Sequence, residues 1–287
     1  MRGVVRQLIR MTALVLAAGF ASALLVRYAP GSLVDERELN QRLGENSLAA
    51  LRAQKAGNSN VGGNFMKYLR NLAHGDLGYS ESNNASIAML IGDRAPATFR
   101  ELGIGLSGGW LFGLGLALLV ARFHRVWMYD AASSASAGLL LALPATLLAY
   151  LCLLAGATSG IVLVLVLAPR IFRFARNLLI QAYGAPHVEM ARARGIGELR
   201  ILSAHILPEA AAPLLALLAA STSMAIGAAI PVEAKSDTPG LGRLAWQAAT
   251  ARDLPLLVNL TMLVTLATIA VVTLLEGLTP REARGAV

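Results

Sequence analysis

The sequence has little of what soluble enzymes and metalloproteins depend on. Of 287 residues, one is cysteine, 6% are aromatic and 15% are charged, against roughly 25% charged in a soluble domain. Because Cys152 is alone, an intrachain disulfide is excluded. The four histidines are scattered along the chain with no acidic cluster beside them, so no metal site is predicted. No G-x-x-x-x-G-K-[ST] phosphate loop occurs, so this chain is not expected to hydrolyse ATP and has no predicted cofactor.

Long apolar segments are the main feature of the sequence. Hydrophobic residues make up 56% of the chain, and a bilayer core of about 30 Å is crossed by about 20 apolar residues in a helix. Six segments approach that length; they begin near Leu8, Phe99, Ala131, Ile161, Glu209 and Leu256. The sequence therefore predicts an all-α membrane protein with about six transmembrane helices. Membrane lipid is then an expected partner.

The charge distribution predicts the orientation. The net charge is +8, which in a soluble protein would suggest a nucleic-acid partner. Here the basic clusters lie beside apolar segments, at alternate ends of successive predicted helices, so no nucleic acid is expected. Cytoplasmic loops carry the excess of Lys and Arg. Both termini and the loop between the fourth and fifth helices are therefore predicted to be cytoplasmic.

Three domains follow from this pattern. Residues 1–26 form an N-terminal transmembrane helix, residues 27–98 an extracytoplasmic polar region, and residues 99–287 a five-helix core with a cytoplasmic loop over 184–208. An alternative exists for the first helix. Basic residues precede a short apolar run, and Ala21-Ser22-Ala23 fits a signal-peptide cleavage site. Cleavage would leave the remaining topology unchanged.

A row of glycines marks the second predicted helix. Gly105, Gly109 and Gly113 recur every four residues, which forms a smooth ridge for a closely packed neighbouring helix. The same helix holds G-x-G-x-x-G, but a dinucleotide site needs a strand before that motif. It also holds Gly105-Leu-Ser107-Gly108, which resembles the nucleophile motif of rhomboid proteases. Such a protease needs a histidine base on another membrane helix, and no histidine lies within a predicted span.

Arginines and prolines lie in or beside the later helices. Arg173 and Arg176 lie one turn apart near the predicted cytoplasmic end of the fourth helix. They are interpreted either as interface anchors that snorkel to the membrane surface or as gating residues. Pro144, Pro169 and Pro213 are expected to kink their helices, since each proline frees a backbone carbonyl.

The loop from Gly184 to Pro213 carries the most specific motif. Glu189, Ala191 and Gly195 give the spacing E-x-A-x-x-x-G, which resembles the EAA loop of permease subunits of ATP-binding-cassette (ABC) importers. The match extends to the dipeptide/oligopeptide/nickel branch of that family. Further matching residues are Arg173, Arg176, Gly184, Val188, Ala191 to Gly195, His205 and Ala210 to Pro213.

Three other short motifs match the same family in order. They are Gly75-Asp-Leu-Gly-Tyr-Ser80, Arg94-Ala-Pro-Ala-Thr98, and Pro239-Gly-Leu-Gly242 with Glu233 before it. The resemblance implies a permease in a bacterial-type inner membrane. It also implies a second homologous permease subunit, two ABC ATPase subunits that bind ATP and Mg, and an extracytoplasmic solute-binding protein.

The resemblance makes the loop an ATPase-coupling element, and the chemistry of its residues suggests how. Glu189, Arg192 and Arg194 provide charges for a soluble partner, while the small Ala191 and Ala193 permit close approach. Gly195 is expected to adopt a positive φ that ends the helix. Closure of the docked ATPases would then move the neighbouring membrane helices, which gives alternating access.

Departures from the family pattern leave a second function open. The predicted connection between the third and fourth helices has about five residues, which is shorter than in the family. Lys235-Ser-Asp237 also interrupts the apolar run that usually precedes Pro239. A non-transporting scaffold or sensor that docks an ABC ATPase is therefore the alternative. The solute, whether peptide, nickel or another, is not identified by the sequence.

Overall fold

The protein is described here by a computed structural model that covers residues 2–28, 66, 69–72, 74–122 and 127–278. Most of the predicted polar region, the basic segment around Arg125 and the C-terminal residues from 279 onward lie outside the described residues. The described elements are α1 (Arg2–Tyr28), β1 (Tyr79–Ser80), β2 (Ala85–Ser86), α2 (Ile87–Arg122), α3 (Trp127–Ala142), α4 (Ala145–Leu154), α5 (Ser159–Tyr183), α6 (Pro186–Ala193), α7 (Glu198–Ile201), α8 (Leu207–Lys235), α9 (Leu241–Ala251) and α10 (Leu254–Leu278).

The described residues are mostly helical, as the composition predicts. Three helical segments are long and apolar enough to cross a membrane, namely Ile87–Ala121, Glu198–Lys235 and Leu254–Leu275. A shorter apolar helix covers Ile9–Leu25. Within α5, Arg170, Arg173 and Arg176 interrupt the apolar sequence. The all-α membrane class is therefore supported, and the count of six spans stays a prediction.

The third predicted helix is broken rather than continuous. It consists of α3 and α4, with a bend that ends at Pro144, where φ is −59° and ψ is 140°. Proline has no N–H to donate, and its ring clashes with the carbonyl four residues earlier in a helix. The kink expected at Pro144 is thus confirmed as a full break. By contrast, Pro169 and Pro213 lie inside α5 and α8.

A short connection follows α4 in the structure. Only residues 155–158 separate α4 from α5, and Gly156 turns the chain with a φ of +78°. A left-handed φ of this kind costs an L side chain steric energy, so glycine is the residue that suits the turn. The helix α2 differs from expectation, because it begins at Ile87 and not near Phe99. Pro96 therefore lies within a helix.

The chain divides into two compact units. The described residues of the larger unit are 94–122, 127–244 and 267–278, and its core is formed where α8 and α4 pack on α5. The glycine ridge of α2 also meets α5. A Cβ atom added at Gly105 would lie 2.6 Å from Leu163 Cβ, and one at Gly113 would lie 2.8 Å from the Ala168 carbonyl oxygen. Only glycine permits that spacing between the two helices.

The described residues of the smaller unit are 2–28, 66, 69–72, 74–93 and 245–266. A buried carboxylate, Asp253, joins its β-hairpin to the first turn of α10. Its Oδ2 accepts hydrogen bonds from the Ser80 hydroxyl at 2.5 Å and from the Ser82 amide at 2.9 Å. Its Oδ1 accepts from the Leu256 amide at 3.1 Å, which is a helix N-cap bond. The hairpin is thereby fixed to α10.

Candidate functional site

The predicted coupling loop folds as a short helix with a defined end. Pro186 occupies the first turn of α6, where a missing N–H costs nothing. At the other end, Gly195 has a φ of +76°. Its N–H donates to the Arg192 carbonyl at 3.0 Å, and the Ile196 N–H donates to the Ala191 carbonyl at 3.2 Å. This pair of bonds is a Schellman motif, so the expected chain reversal at glycine is present.

The inner face of the loop is packed against the membrane helices. Val188 is 0% exposed and belongs to a core cluster with residues of α2 and α5. Ile201 and Ile206, which follow α6, are also 0% exposed and belong to the same cluster. Displacing any of these side chains would open a cavity in a close-packed interior. The inner face of the loop is therefore part of the core that it forms with α2 and α5.

One residue that is predicted to contact a partner protein is instead buried in the core of this chain. Ala191 is expected from the sequence to permit close approach of a second protein, but it is 4% exposed and lies in this same core cluster. That part of the prediction is wrong. Ala191 lies three residues after Val188, so both side chains share one helix face. Ala193 is exposed, in agreement with the expectation.

The outer face of the loop carries polar side chains together with some exposed apolar ones. Glu189 and Arg194 are exposed, while Arg192 donates to the Glu198 carboxylate at 2.9 Å. Met190 and Leu199 are 57% and 83% exposed. We call the docking face the exposed side chains of Glu189, Met190, Arg192, Ala193, Arg194 and Leu199. Aliphatic side chains beside charges are a common composition of a protein contact surface.

A wide helical turn links this face to α8. Leu202–Ile206 forms a π-helical turn between α7 and α8, so the backbone runs from Glu198 to Lys235 without a loop. Pro208 follows directly, and its ring would clash with the carbonyl of Ala204 in a regular α-helix. A π turn relieves that clash by widening the helix. Leu199 is therefore joined to α8 by continuous helix, whereas the other docking-face residues lie on α6 or at its end, before the turn at Gly195.

Arg173 and Arg176 lie on α5, two turns before the loop. Arg173 is exposed, and Arg176 donates to the Asn177 side chain at 3.0 Å. The exposure of Arg173 fits an interface anchor, Arg176 is half-buried, and the structure brings neither arginine into the docking face. The gating role stays a prediction.

The far end of α8 holds a buried polar cluster. Glu233 is 0% exposed, and its Oε2 accepts the Gly242 amide at 2.7 Å. Thr98 on α2 accepts the Leu241 amide at 2.7 Å. Leu241 and Gly242 are the first residues of α9, whose N-terminal amides have no partner within the helix. We call this cluster the polar lock; it consists of Thr98, Glu101, Ser159, Glu233, Thr238 and Gly240 to Gly242.

Most residues of the polar lock belong to motifs identified in the sequence, but the sequence does not show that these motifs meet. The hydrogen bond between Thr98 and Leu241 joins the Arg94–Thr98 motif to the Pro239–Gly242 motif. Its two residues are 143 positions apart in the sequence. No local pattern predicts such a pairing. The motifs of the sequence predict no role for Asp253. For Asp253 a signal exists, because an Asp directly before Leu254-Pro255 is a helix start with an N-cap and an early proline.

Comparison with known proteins decides the family. Residues 113–281, more than half of the chain, match the family described as "Binding-protein-dependent transport system inner membrane component". The chain belongs to this family. It is therefore a membrane component of a transport system that depends on a binding protein, and the resemblance seen in the sequence is confirmed at that level.

Several named relatives align over most of their length. A putative peptide permease protein of Brucella suis biovar 1 is 26% identical over 270 residues, which covers 84% of each chain. The oligopeptide transport system permease protein OppB of Escherichia coli K12 is 25% identical over 264 residues, or 85% of each chain. A putative peptide transport system permease protein of Brucella abortus is 26% identical over 66% of this chain.

Proposed function

We propose that this chain is the permease subunit of an ATP-driven ABC importer and forms half of the translocation path for peptides or a related small solute. The relatives' names support the solute class. Residues 1–26 act as the first membrane helix, residues 27–98 as an extracytoplasmic region, and residues 99–287 as the permease core. A second, homologous permease subunit supplies the other half of the path.

The proposed partners are those that the family implies. Two ABC ATPase subunits bind ATP and Mg and contact the docking face, while a solute-binding protein delivers the solute on the opposite side. Both termini and the docking face lie in the cytoplasm of a bacterial-type cell. Arg173 and Arg176 anchor α5 at the cytoplasmic interface, where long cationic side chains snorkel.

One observation carries the proposed mechanism. The docking face is exposed, yet the opposite side of the same segment is fully buried through Val188, Ile201 and Ile206. A rigidly attached segment transmits a push rather than absorbing it. Since the segment continues into α8, closure of the two ATPases tilts α5 and α8 and exposes the path alternately to each side.

Uptake into vesicles tests this function. The chain would be reconstituted in proteoliposomes with its partner permease, the two ATPases and the binding protein, and labelled peptide would be supplied outside with ATP inside. We expect ATP-dependent peptide accumulation that stops when the ATPases are omitted. Stimulated ATP hydrolysis with no accumulation of any peptide, amino acid or nickel would contradict the importer.

A second function is favoured by the connection of residues 155–158, which is too short to form a lobe outside the membrane. It is the non-transporting scaffold or sensor that docks an ABC ATPase. The same assay separates the two functions, since a scaffold changes ATPase activity without solute uptake. Lengthening this connection would leave a scaffold unaffected and would alter the uptake rate of an importer.

A further inference from the structure

The polar lock contains two buried carboxylates whose hydrogen bonds are incomplete. Glu101 is 2% exposed and Glu233 is 0% exposed. Among the described residues, Glu101 Oε2 and Glu233 Oε1 are buried with no hydrogen-bond partner. A buried ionised carboxylate without partners is strongly disfavoured. Two such oxygens in one cluster are available to accept a further hydrogen bond or a proton.

The other oxygen of each carboxylate is already occupied. Arg100 donates to Glu101 Oε1 at 2.8 Å, and the Gly242 amide donates to Glu233 Oε2. The N-terminus of α9 carries partial positive charge, so it accommodates one carboxylate there. These contacts explain why the two groups are tolerated in the interior. They leave one open acceptor on each.

The two carboxylates belong to the same site. Thr98 lies three residues before Glu101, so the two side chains lie on one face of α2. A Cβ atom on Gly240 would overlap the Glu233 carboxylate and would lie 2.6 Å from Thr98 Oγ1. On the Glu101 side, an added Cβ on Gly160 would lie 2.7 Å from Glu101 Oε2, and the neighbouring Ser159 accepts from Thr238, two residues before Gly240. Both carboxylates therefore adjoin the segment Thr238–Gly242, and two like charges there repel in a medium of low dielectric constant.

The packing restricts which cation fits. A Cβ atom on Gly160 would lie 2.7 Å from Glu101 Oε2 and 2.9 Å from Ile104 Cγ2, so the space beside the open oxygen is filled. An ammonium group or a hydrated metal ion needs a cavity and several oxygen ligands. A proton needs neither. It also converts one open acceptor into a donor for another oxygen.

We propose that Glu101 and Glu233 together bind one proton, which holds the segment Thr238–Gly242 closed against α2. Loss of that proton to water leaves two carboxylates that repel each other, and the start of α9 then separates from Thr98. The lock is a proton-binding site at the end of α8 opposite the docking face. Buried acidic residues of membrane helices commonly mark ion or proton pathways.

Other charged groups near the lock are directed elsewhere. The Arg243 guanidinium bonds the Asp237 carboxylate at 2.9 Å and the Asp237 carbonyl at 2.7 Å. Lys235 is exposed at the end of α8. From α5 and the preceding connection the neighbours are hydroxyl groups, since Thr238 donates to Ser159 at 3.0 Å. Arg100, which bonds Glu101, and Cys152, which packs on the cluster that contains Val232, lie against the site itself.

Infrared spectroscopy of the purified full-length chain tests the proposal without any transport assay. Protein labelled with ¹³C at the glutamate carboxyl groups should show a protonated-acid carbonyl band at neutral pH. Glu233→Gln should remove this band, and Glu101→Gln should shift or remove it. Glu209→Gln, on the more exposed turn at the other end of α8, should leave it unchanged.

The outcomes are distinct. A neutral-pH spectrum without a glutamic-acid band would overturn the proposal, and so would a band that survives Glu233→Gln. A band lost in Glu233→Gln but identical in Glu101→Gln would place the proton on one residue and refute sharing. A band that disappears only when sodium or an alkylammonium salt is added would show that the site takes a larger cation. None of these readings depends on whether the chain imports peptides.

Discussion

The two ends of α8 are fixed by opposite means. At the docking face the chain is fixed by apolar packing around Ile201, whereas at the polar lock it is fixed by hydrogen bonds to Thr98 and Glu233. Apolar packing is non-directional and insensitive to pH, so it suits a lever that must transmit force. A buried polar cluster depends on the geometry and charge of each member, so it suits a latch. The difference assigns the two ends different tasks.

The largest expected loss of stability comes from removing a buried side chain at the apolar end. Ile201→Ala should lower the free energy of unfolding by about 2–5 kcal/mol, because the residue is fully buried and its loss leaves a cavity. Thermal unfolding in detergent measures this. The matched control is Leu199→Ala two residues earlier, whose side chain is 83% exposed. That variant should keep its stability and lose affinity for the ATPase; equal destabilisation of both variants would refute the two-faced description of the segment.

An intermediate loss of stability is expected from overpacking the contact between α2 and α5. Gly113→Ala places a methyl group 2.8 Å from a backbone oxygen of α5, and overpacking of this kind costs about 1–3 kcal/mol. Gly115→Ala is the control, since nothing lies within 4 Å of its added Cβ. The two variants differ by two positions on one helix. Equal unfolding temperatures would show that α2 and α5 are not in close contact.

A smaller loss of stability is expected from removing the hydrogen bond between Thr98 and Leu241 in the polar lock. Thr98→Val removes the acceptor of the Leu241 amide, which should cost about 1–3 kcal/mol locally and speed amide exchange at the start of α9. Thr222→Val is the control, because that hydroxyl bonds the Leu218 carbonyl within its own helix at 2.8 Å. If exchange at Leu241 is as slow in Thr98→Val as in the unmodified protein, then the hydroxyl does not hold the lock.

The sequence predicted those features that depend on local chemistry. Gly195 ends its helix, Pro144 breaks the third predicted helix, and the glycine ridge of α2 meets another helix, because each follows from the steric properties of one residue type. The inward orientation of Ala191 was misread, although Val188 three residues earlier marks the buried face. The bonds of Thr98 to Leu241 and of Ser80 to Asp253 join residues 143 and 173 positions apart. Such pairings depend on the tertiary fold.

Peptide uptake by the Gly195→Pro variant tests the central claim, coupling through the docking face, most directly. Proline adopts a φ near −65° and has no N–H, whereas Gly195 has a φ of +76° and donates to the Arg192 carbonyl. Gly197→Pro is the control, since its φ of −64° suits proline. The account predicts an inserted Gly195→Pro protein that no longer couples ATP hydrolysis to uptake, beside a Gly197→Pro protein that still does. Normal ATP-driven uptake by Gly195→Pro would contradict it.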